Sequence, residues 1–349
     1  MAIVSPMLVE RTERGDEMFM AMIARHCQHV LDTDALAILP APTLPEPLQP
    51  NPADEGSHPS GDEPLWSESW YFDFADPGQD VGGWFRLGLI PNQGHAWINA
   101  LLCGPGMPTV AVLDFQVALP TDHTDVRTAD AAVRLDAAEP LRTFRVRVRA
   151  RGQAYDDPAA VLRGEPGRPV EVDLDLTWHT DGTPYQYRVS PRYEIPCLVT
   201  GSVTTDGRTV DLAQVRGQRD HSWAPRDWWA MDWVWSALHL DDGTHLHGVD
   251  IRIPGLPPLA VGYVQEPGRP LVEIDQITSR DAFADNGLPI SAELTFADLA
   301  ATITLRGQAP VLLSSPEGRL SRFPRAWGTV ETSDGRTGVG WIEWNQSQR

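Results

Sequence analysis

The chain has 349 residues, 42% of them apolar, and carries 48 acidic against 28 basic residues for a formal net charge of −20. Such acidity repels phosphate backbones and anionic bilayers, which argues against nucleic acid as a partner. No run approaches the roughly 18 apolar residues that cross a membrane, so no membrane insertion is expected. All 28 basic residues are arginine, which leaves no lysine for a Schiff base, a pyridoxal phosphate anchor or a P-loop.

In chain order, Met1–Glu10 lacks the basic region and apolar stretch of a secretory leader. Cys27, Cys103 and Cys197 lie far apart and form no CxxC pair. A reduced, cytoplasmic protein without disulfides is the expectation. Met18, Met22, Ile23 and Val30 predict a helix within Pro6–Asp34, and the Pro-, Asp- and Gly-rich Pro40–Pro64 reads as an extended linker. After Leu65, short alternating segments begin with Trp70–Phe74 and Gly83–Leu89. Val110–Phe115, Phe144–Arg149 and Val172–Trp178 continue them. The last two are apolar on one face and charged on the other, as on half-solvated antiparallel strands. Asp181-Gly182, Asp206-Gly207, Asp242-Gly243 and Asp334-Gly335 supply turns, and 281–300 leaves room for a short helix. The pattern is all-β, built of barrels or sandwiches. Three parts are expected: 1–64 helix and linker, and β units at 65–197 and 198–349, the strand series restarting near Pro191–Gly201.

The densest chemistry lies at Arg219–Trp229, where Asp220, His221, Arg219 and Arg226 sit among Trp223, Trp228 and Trp229. With Trp233 and Trp235, five of the 13 tryptophans fall within 13 residues. A histidine beside a carboxylate exchanges protons near neutral pH, and indole faces hold apolar groups and stabilise developing cations. Asp241-Asp242-Gly243-Thr244 marks a hairpin turn. Pairing Leu240 with His245 puts Trp233, Trp235, Ala237 and His239 on one face with Gly248, Asp250 and Arg252. Arg219 and Arg226 are expected to pair with Asp220 and Asp227, which favours Asp250 as the acid. Trp228, Trp229, Trp341 and Trp344 are assigned to packing.

There is no nucleophile elbow, dinucleotide fingerprint or P-loop. His245-x-His247 lacks a third ligand, so neither metal nor other cofactor is expected.

Glu68-Ser69-Trp70-Tyr71-Phe72, Gly217–Trp223 and Gly338–Glu343 together resemble the carotenoid 1,2-hydratases (hydroxyneurosporene synthases) and their AttH-like relatives, over about residues 65–345. The resemblance implies two tandem lipocalin-like, or calycin-like, antiparallel β-barrels, here with an N-terminal helical extension, and an apolar pocket in or between them. It implies cofactor-free hydration of an isoprenoid alkene, related fungal proteins being pericyclases, and it gives functional weight to Asp220, His221 and Trp223. The hydratases' Tyr-x-Asp pair is incomplete here, with Gly248 in the tyrosine position and Asp250 matching the acid. The expected function is an acid/base lyase (hydratase, dehydratase, isomerase or cyclase) on an apolar terpenoid, steroid-like or polyketide substrate. Asp250, Asp220 and His221 are its catalytic candidates; Trp223, Trp233, Trp235, His239, Trp70 and Glu68 would line the substrate. A non-catalytic lipocalin-like carrier of a hydrophobic small molecule is the alternative, and a glycosidase ranks below both. A second copy of the chain is a further candidate partner.

Overall fold

A computed structural model describes residues 46–347, so the helix expected within Pro6–Asp34 lies outside the described residues. The first sheet comprises β1 (Trp66–Asp76), β2 (Val81–Ile90), β3 (His95–Gly104), β4 (Met107–Ala118), β5 (Asp125–Arg127), β6 (Ala131–Glu139), β7 (Thr143–Tyr155), β8 (Arg168–Thr180), β9 (Tyr185–Gln186), β10 (Arg192–Thr205) and β11 (Arg208–Pro225). The second comprises β12 (Asp232–Leu240), β13 (His245–Arg252), β14 (Leu259–Gln265), β15 (Val272–Ile274), β16 (Ile277–Phe283), β17 (Pro289–Phe296), β18 (Leu299–Gln308), β19 (Val311–Ser314), β20 (Leu320–Phe323), β21 (Arg325–Thr332) and β22 (Thr337–Ser347). One short helix, α1 (Ala159–Leu162), interrupts the strands.

The first sheet closes on itself. Its order β4-β3-β2-β1-β11-β10-β8-β7 returns from β7 to β4 through pairs such as Thr109↔Tyr155. Trp70, Phe72, Phe74, Val146, Val148 and Trp178 fill the interior. On β7, Arg145, Arg147, Arg149 and Arg151 alternate outward with these apolar residues, as a half-solvated strand requires. The second sheet runs β15-β14-β13-β12-β22-β21-β18-β17-β16 without a ladder joining its ends, a half-barrel around Leu238, Leu294, Phe296 and Ile342.

Strand β1 is buried along its whole length, because one face lines the barrel and the other meets the second sheet. Indole N–H groups pin this contact: Trp341 Nε1 donates to Phe74 O at 2.8 Å and Trp327 Nε1 to Cys103 O at 3.2 Å. Gly82 and Gly307 make room for Trp327, since a Cβ at either would come within 2.5 and 2.3 Å of that ring.

Three expectations are corrected. The change of sheet falls between Pro225 and Asp232, whereas 191–201 lies within or beside β10, which runs unbroken between β8 and β11. Residues 281–300 form parts of β16, β17 and β18 rather than a helix, alternating in burial as strands do. The described part of the presumed linker is built into the barrel, with Asn51 capping a 3-10 turn over Pro52–Glu55 and Glu55 buried.

Candidate functional site

Because side chains alternate along a strand, β11 divides the Asp-His-Ser-Trp motif between two environments. Arg219, His221 and Trp223 face the barrel interior; Asp220 and Ser222 face the second sheet. Their β1 neighbours divide likewise, Glu68 opposite Trp223 and Trp70 opposite His221, but Tyr71 opposite Asp220.

At the barrel end, segment 51–58 acts as a plug. Glu55 receives two bonds from Arg219 Nη1 at 2.8 and 3.0 Å. Glu68 Oε1 accepts from His58 Nδ1 at 2.7 Å and His221 Nε2 at 3.0 Å, while His221 Nδ1 donates to Asp54 O at 2.7 Å. Burial pushes Glu68 up, but the bonds from His221 and His58 outweigh it and hold the carboxyl below its usual value. Both ring nitrogens of His221 are thus engaged, one by Glu68 and the other by the Asp54 carbonyl. Trp223 stacks on His58 at 3.8 Å between centroids and Trp70 on His221 at 4.4 Å. His58, Glu68 and His221 each offer a ligand atom within 4.8 Å of the others. They form the set among the described residues that could hold a metal ion, at the expense of the protons they now share.

The other face of β1 and β11 borders a cavity of about 50 Å³ between the sheets. It has room for a few water molecules. Tyr71, Trp84, Trp228 and Trp235 form aromatic walls, Val311, Leu313 and Phe323 the apolar side, and Asp220 and Glu343 the acids. Arg86, Arg192, Arg226 and Arg325 also line it. Tyr71 Oη lies 3.0 Å from Asp73 Oδ2, and Gln218 N donates to Asp73 Oδ1 at 2.8 Å. Burial pushes Asp73 up to about 8 despite these bonds, and burial raises the Tyr71 phenol well above its usual value. At neutral pH, then, Asp73 keeps its proton. Tyr71 Oη donates its bond to Asp73 Oδ2, so the phenolic hydrogen must turn away from the carboxyl to reach a ligand in the cavity. Asp220 is also raised by burial, against the pull of Arg192, whose Nη2 is 2.8 Å away. Glu194 sits behind, receiving Arg192, Trp235 Nε1 at 3.1 Å and Gln218 Nε2 at 3.0 Å.

Of the residues expected to form one site, Asp220 and Trp235 line this cavity. Trp233 lies one layer back, donating to Glu343 Oε1 at 2.9 Å. Glu68, Trp70, His221 and Trp223 belong to the plugged barrel end. His239 is buried against His245, Nδ1 to Nδ1 3.0 Å, and burial pushes it well below its usual value. Asp250 is on the wrong face. Gly243, at φ 88°, follows a turn closed by Gly243 N→Leu240 O, and Leu240 N donates to Thr244 O. The loop is therefore one residue shorter than expected and His239, not Leu240, pairs with His245. That slip exchanges the faces of β13. Asp250 now shares a face with Val234 and bonds Arg252 at 2.7 Å. A side chain at Gly248 would meet Ile277 Cδ1 at 2.5 Å, so the missing tyrosine has no place there. Arg219 pairs with Glu55 and Asp227 with Arg319, not with each other's expected partners. Trp228, assigned to packing, lines the cavity.

Sequence reasoning missed Tyr71, Asp73, Arg86, Arg192 and Arg325. One signal was present: Tyr71-Phe72-Asp73 is itself a Tyr-x-Asp pair, on β1 rather than β13.

The closed barrel followed by the half-barrel, with a cavity between them, defines a tandem lipocalin-like protein. Residues 51–348 match the family described as Domain of unknown function (DUF7064), and the chain belongs to that family. An AttH-type protein from Nitrosomonas europaea shares the fold at 16% identity and TM-score 0.60, over 88% of this chain and 99% of its own. Kievitone hydratase from Nectria haematococca does so at 11% identity and TM-score 0.55, over 80% and 89%. CghA does so at 10% and 0.53, over 81% and 88%. No curated protein matches the chain. Among the described residues, no helix is long and apolar enough to cross a membrane.

Proposed function

We propose that this chain is a hydratase- or cyclase-type enzyme acting by acid–base chemistry, without a cofactor, on a terpenoid, steroid-like or polyketide substrate held between the sheets. The observation that carries the reading is Tyr71, backed by Asp73 and directly across the strand pair from Asp220 in an aromatic-walled cavity. Tyr71 donates its proton to an alkene carbon or a leaving hydroxyl, and Asp73 returns one to the phenolic oxygen. Asp220, held by Arg192, takes the proton from the attacking water or from the carbon that loses it. Trp235 faces the developing positive charge, an interaction worth about 0.5–2 kcal/mol, while the Trp84 and Trp228 rings already carry arginines. Admission of substrate requires Val311, Leu313 and Phe323 to give way. The fold likeness to kievitone hydratase supports the class of chemistry, and His221 and Glu68 become structural members of the plug.

The test is turnover in ¹⁸O-labelled water, read by mass spectrometry, over kievitone and a panel of polyprenyl and polyketide alkenes. Tyr71→Phe and Asp220→Asn are each expected to abolish turnover while the protein still folds, with a lowered thermal midpoint in Asp220→Asn because Arg192 is then left with Glu194 alone. A variant of either kind that works at the wild-type rate refutes the mechanism. Reversible binding of the panel with no product would favour the carrier instead.

A further inference from the structure

Four arginines and two carboxylates line the cavity of a chain whose net charge is −20. Two of the arginines are accounted for. Arg192 is shared by Asp220 and Glu194, and Arg325 pairs with Glu343. Arg86 and Arg226 are not. Among the described residues neither is in ion-pair contact with a carboxylate, although the Asp220 charge acts on both from across the cavity: Arg226 donates a 3.4 Å bond to Ser222 Oγ, and Arg86 makes no hydrogen bond. Both guanidinium carbons lie over the Trp228 ring, at 4.5 and 4.7 Å from its centroid, and Arg86 also meets Trp97 at 5.2 Å. The indole faces offset part of the charge but accept none of the N–H groups. Burial with the nearby charges of Arg226 and Arg325 pulls Arg86 down to about 9, and burial with the charge of Arg192 pulls Arg226 down to about 10. Two forks of donors gathered over one ring and facing a cavity fit an oxyanion better than water.

We propose that Arg86 and Arg226 form a carboxylate subsite, so that the ligand of this cavity is an organic acid whose apolar body lies against Trp84, Trp228 and Trp235. This rests on the cavity being the substrate site, and it names the class of substrate: an apolar skeleton ending in a carboxylate, with the reacting carbon presented to Tyr71 and Asp220. The anion cancels the repulsion between the two guanidinium groups, and an uncharged analogue leaves it in place.

The probes are 2-naphthoate and its neutral isostere 2-naphthamide, titrated by calorimetry into the intact protein and into Arg86→Gln, Arg226→Gln, Arg86→Lys and Val311→Trp, each checked for folding by circular dichroism. Wild type is expected to bind the naphthoate at least about tenfold more tightly than the amide, the scale of a charge-assisted bidentate contact. Added salt is expected to weaken the naphthoate alone. The preference falls to within about twofold in either glutamine variant and is partly kept in Arg86→Lys. If one variant does not fold, the other and the wild-type salt dependence read the same preference. Equal affinities in wild type, or a preference that survives both glutamines, overturns the subsite. In that event, amide binding that Val311→Trp blocks leaves the cavity standing as a substrate site. Failure of both probes to bind, or binding indifferent to Val311→Trp, overturns both.

Discussion

Replacing Glu55 by Gln removes one charge and almost no volume from the plug at the barrel end. Arg219 and Glu55 are 2% and 3% exposed, and the carboxylate accepts both bonds from Arg219 Nη1 and one from Leu141 N at 3.0 Å. Among the described residues, Arg219 Nε and Nη2 have no hydrogen-bond partner. Glu55 is thus the anion that keeps a buried guanidinium charged, overriding burial and raising Arg219 above its usual value. Breaking such a pair from one side costs about 3–5 kcal/mol, because the remaining charge stays buried. At about 2.1 cal/mol/K of unfolding entropy per residue, a chain of this length loses about 1.4 °C per kcal/mol, so the midpoint falls by about 4–7 °C. Urea titration followed by tryptophan fluorescence measures the free energy, and a thermal melt the midpoint. Adding Arg219→Met to Glu55→Gln is expected to restore much of the loss, since the double change leaves no orphan charge. A loss under about 1 kcal/mol, or strict additivity of the two changes, refutes the reasoning.

Asp73, raised to about 8, holds a proton in the folded protein that it lacks when unfolded above about pH 4. Its contribution to stability therefore declines as pH rises from about 4 to 8; Asp73→Asn is expected to flatten that decline in urea midpoints, and to erase any loss of turnover above pH 8. His247 is pushed down to about 3 by burial, accepting from Tyr187 Oη at 2.6 Å on Nε2 and donating to Ser236 O from Nδ1. It stays neutral while the unfolded ring titrates near 6.5, so it costs about 1.4 kcal/mol per pH unit below that value. Midpoints at pH 7 and 5 should differ less in His247→Gln. Asp250→Asn breaks a pair whose arginine is 44% exposed; a stability change under about 1 kcal/mol and unaltered turnover are expected, and loss of turnover would return Asp250 to the site.

The strands were legible because alternation is local: Phe144–Arg149 and Val172–Trp178 lie within β7 and β8. Asp206-Gly207, both at positive φ, joins β10 to β11 as its composition predicts. The register of β12 with β13 was not legible, since it turned on where one loop closes around Gly243. Nor was the plug. Its prolines, glycines and acids read as a linker, and nothing near Glu55 in sequence reveals a buried arginine 164 positions later. The site was half visible for a related reason: Asp220 stands in the conspicuous motif, while Tyr71 and Asp73 come from a strand whose burial on both faces hides which side chains meet the cavity.

That distance between plug and partners bears on how the molecule is made. Asp54 and Glu55 leave the ribosome some 160 residues ahead of Arg219 and His221, to which they bond across separations of 164 and 167 positions. Strand β1 waits equally long for β11. Until Pro225 has emerged, the nascent barrel has an unpaired β1 edge and an open end, the kind of long-range closure that folds slowly and is exposed to misassembly. The first element translated among those described is thus among the last to find its place, and barrel closure is a late event of synthesis.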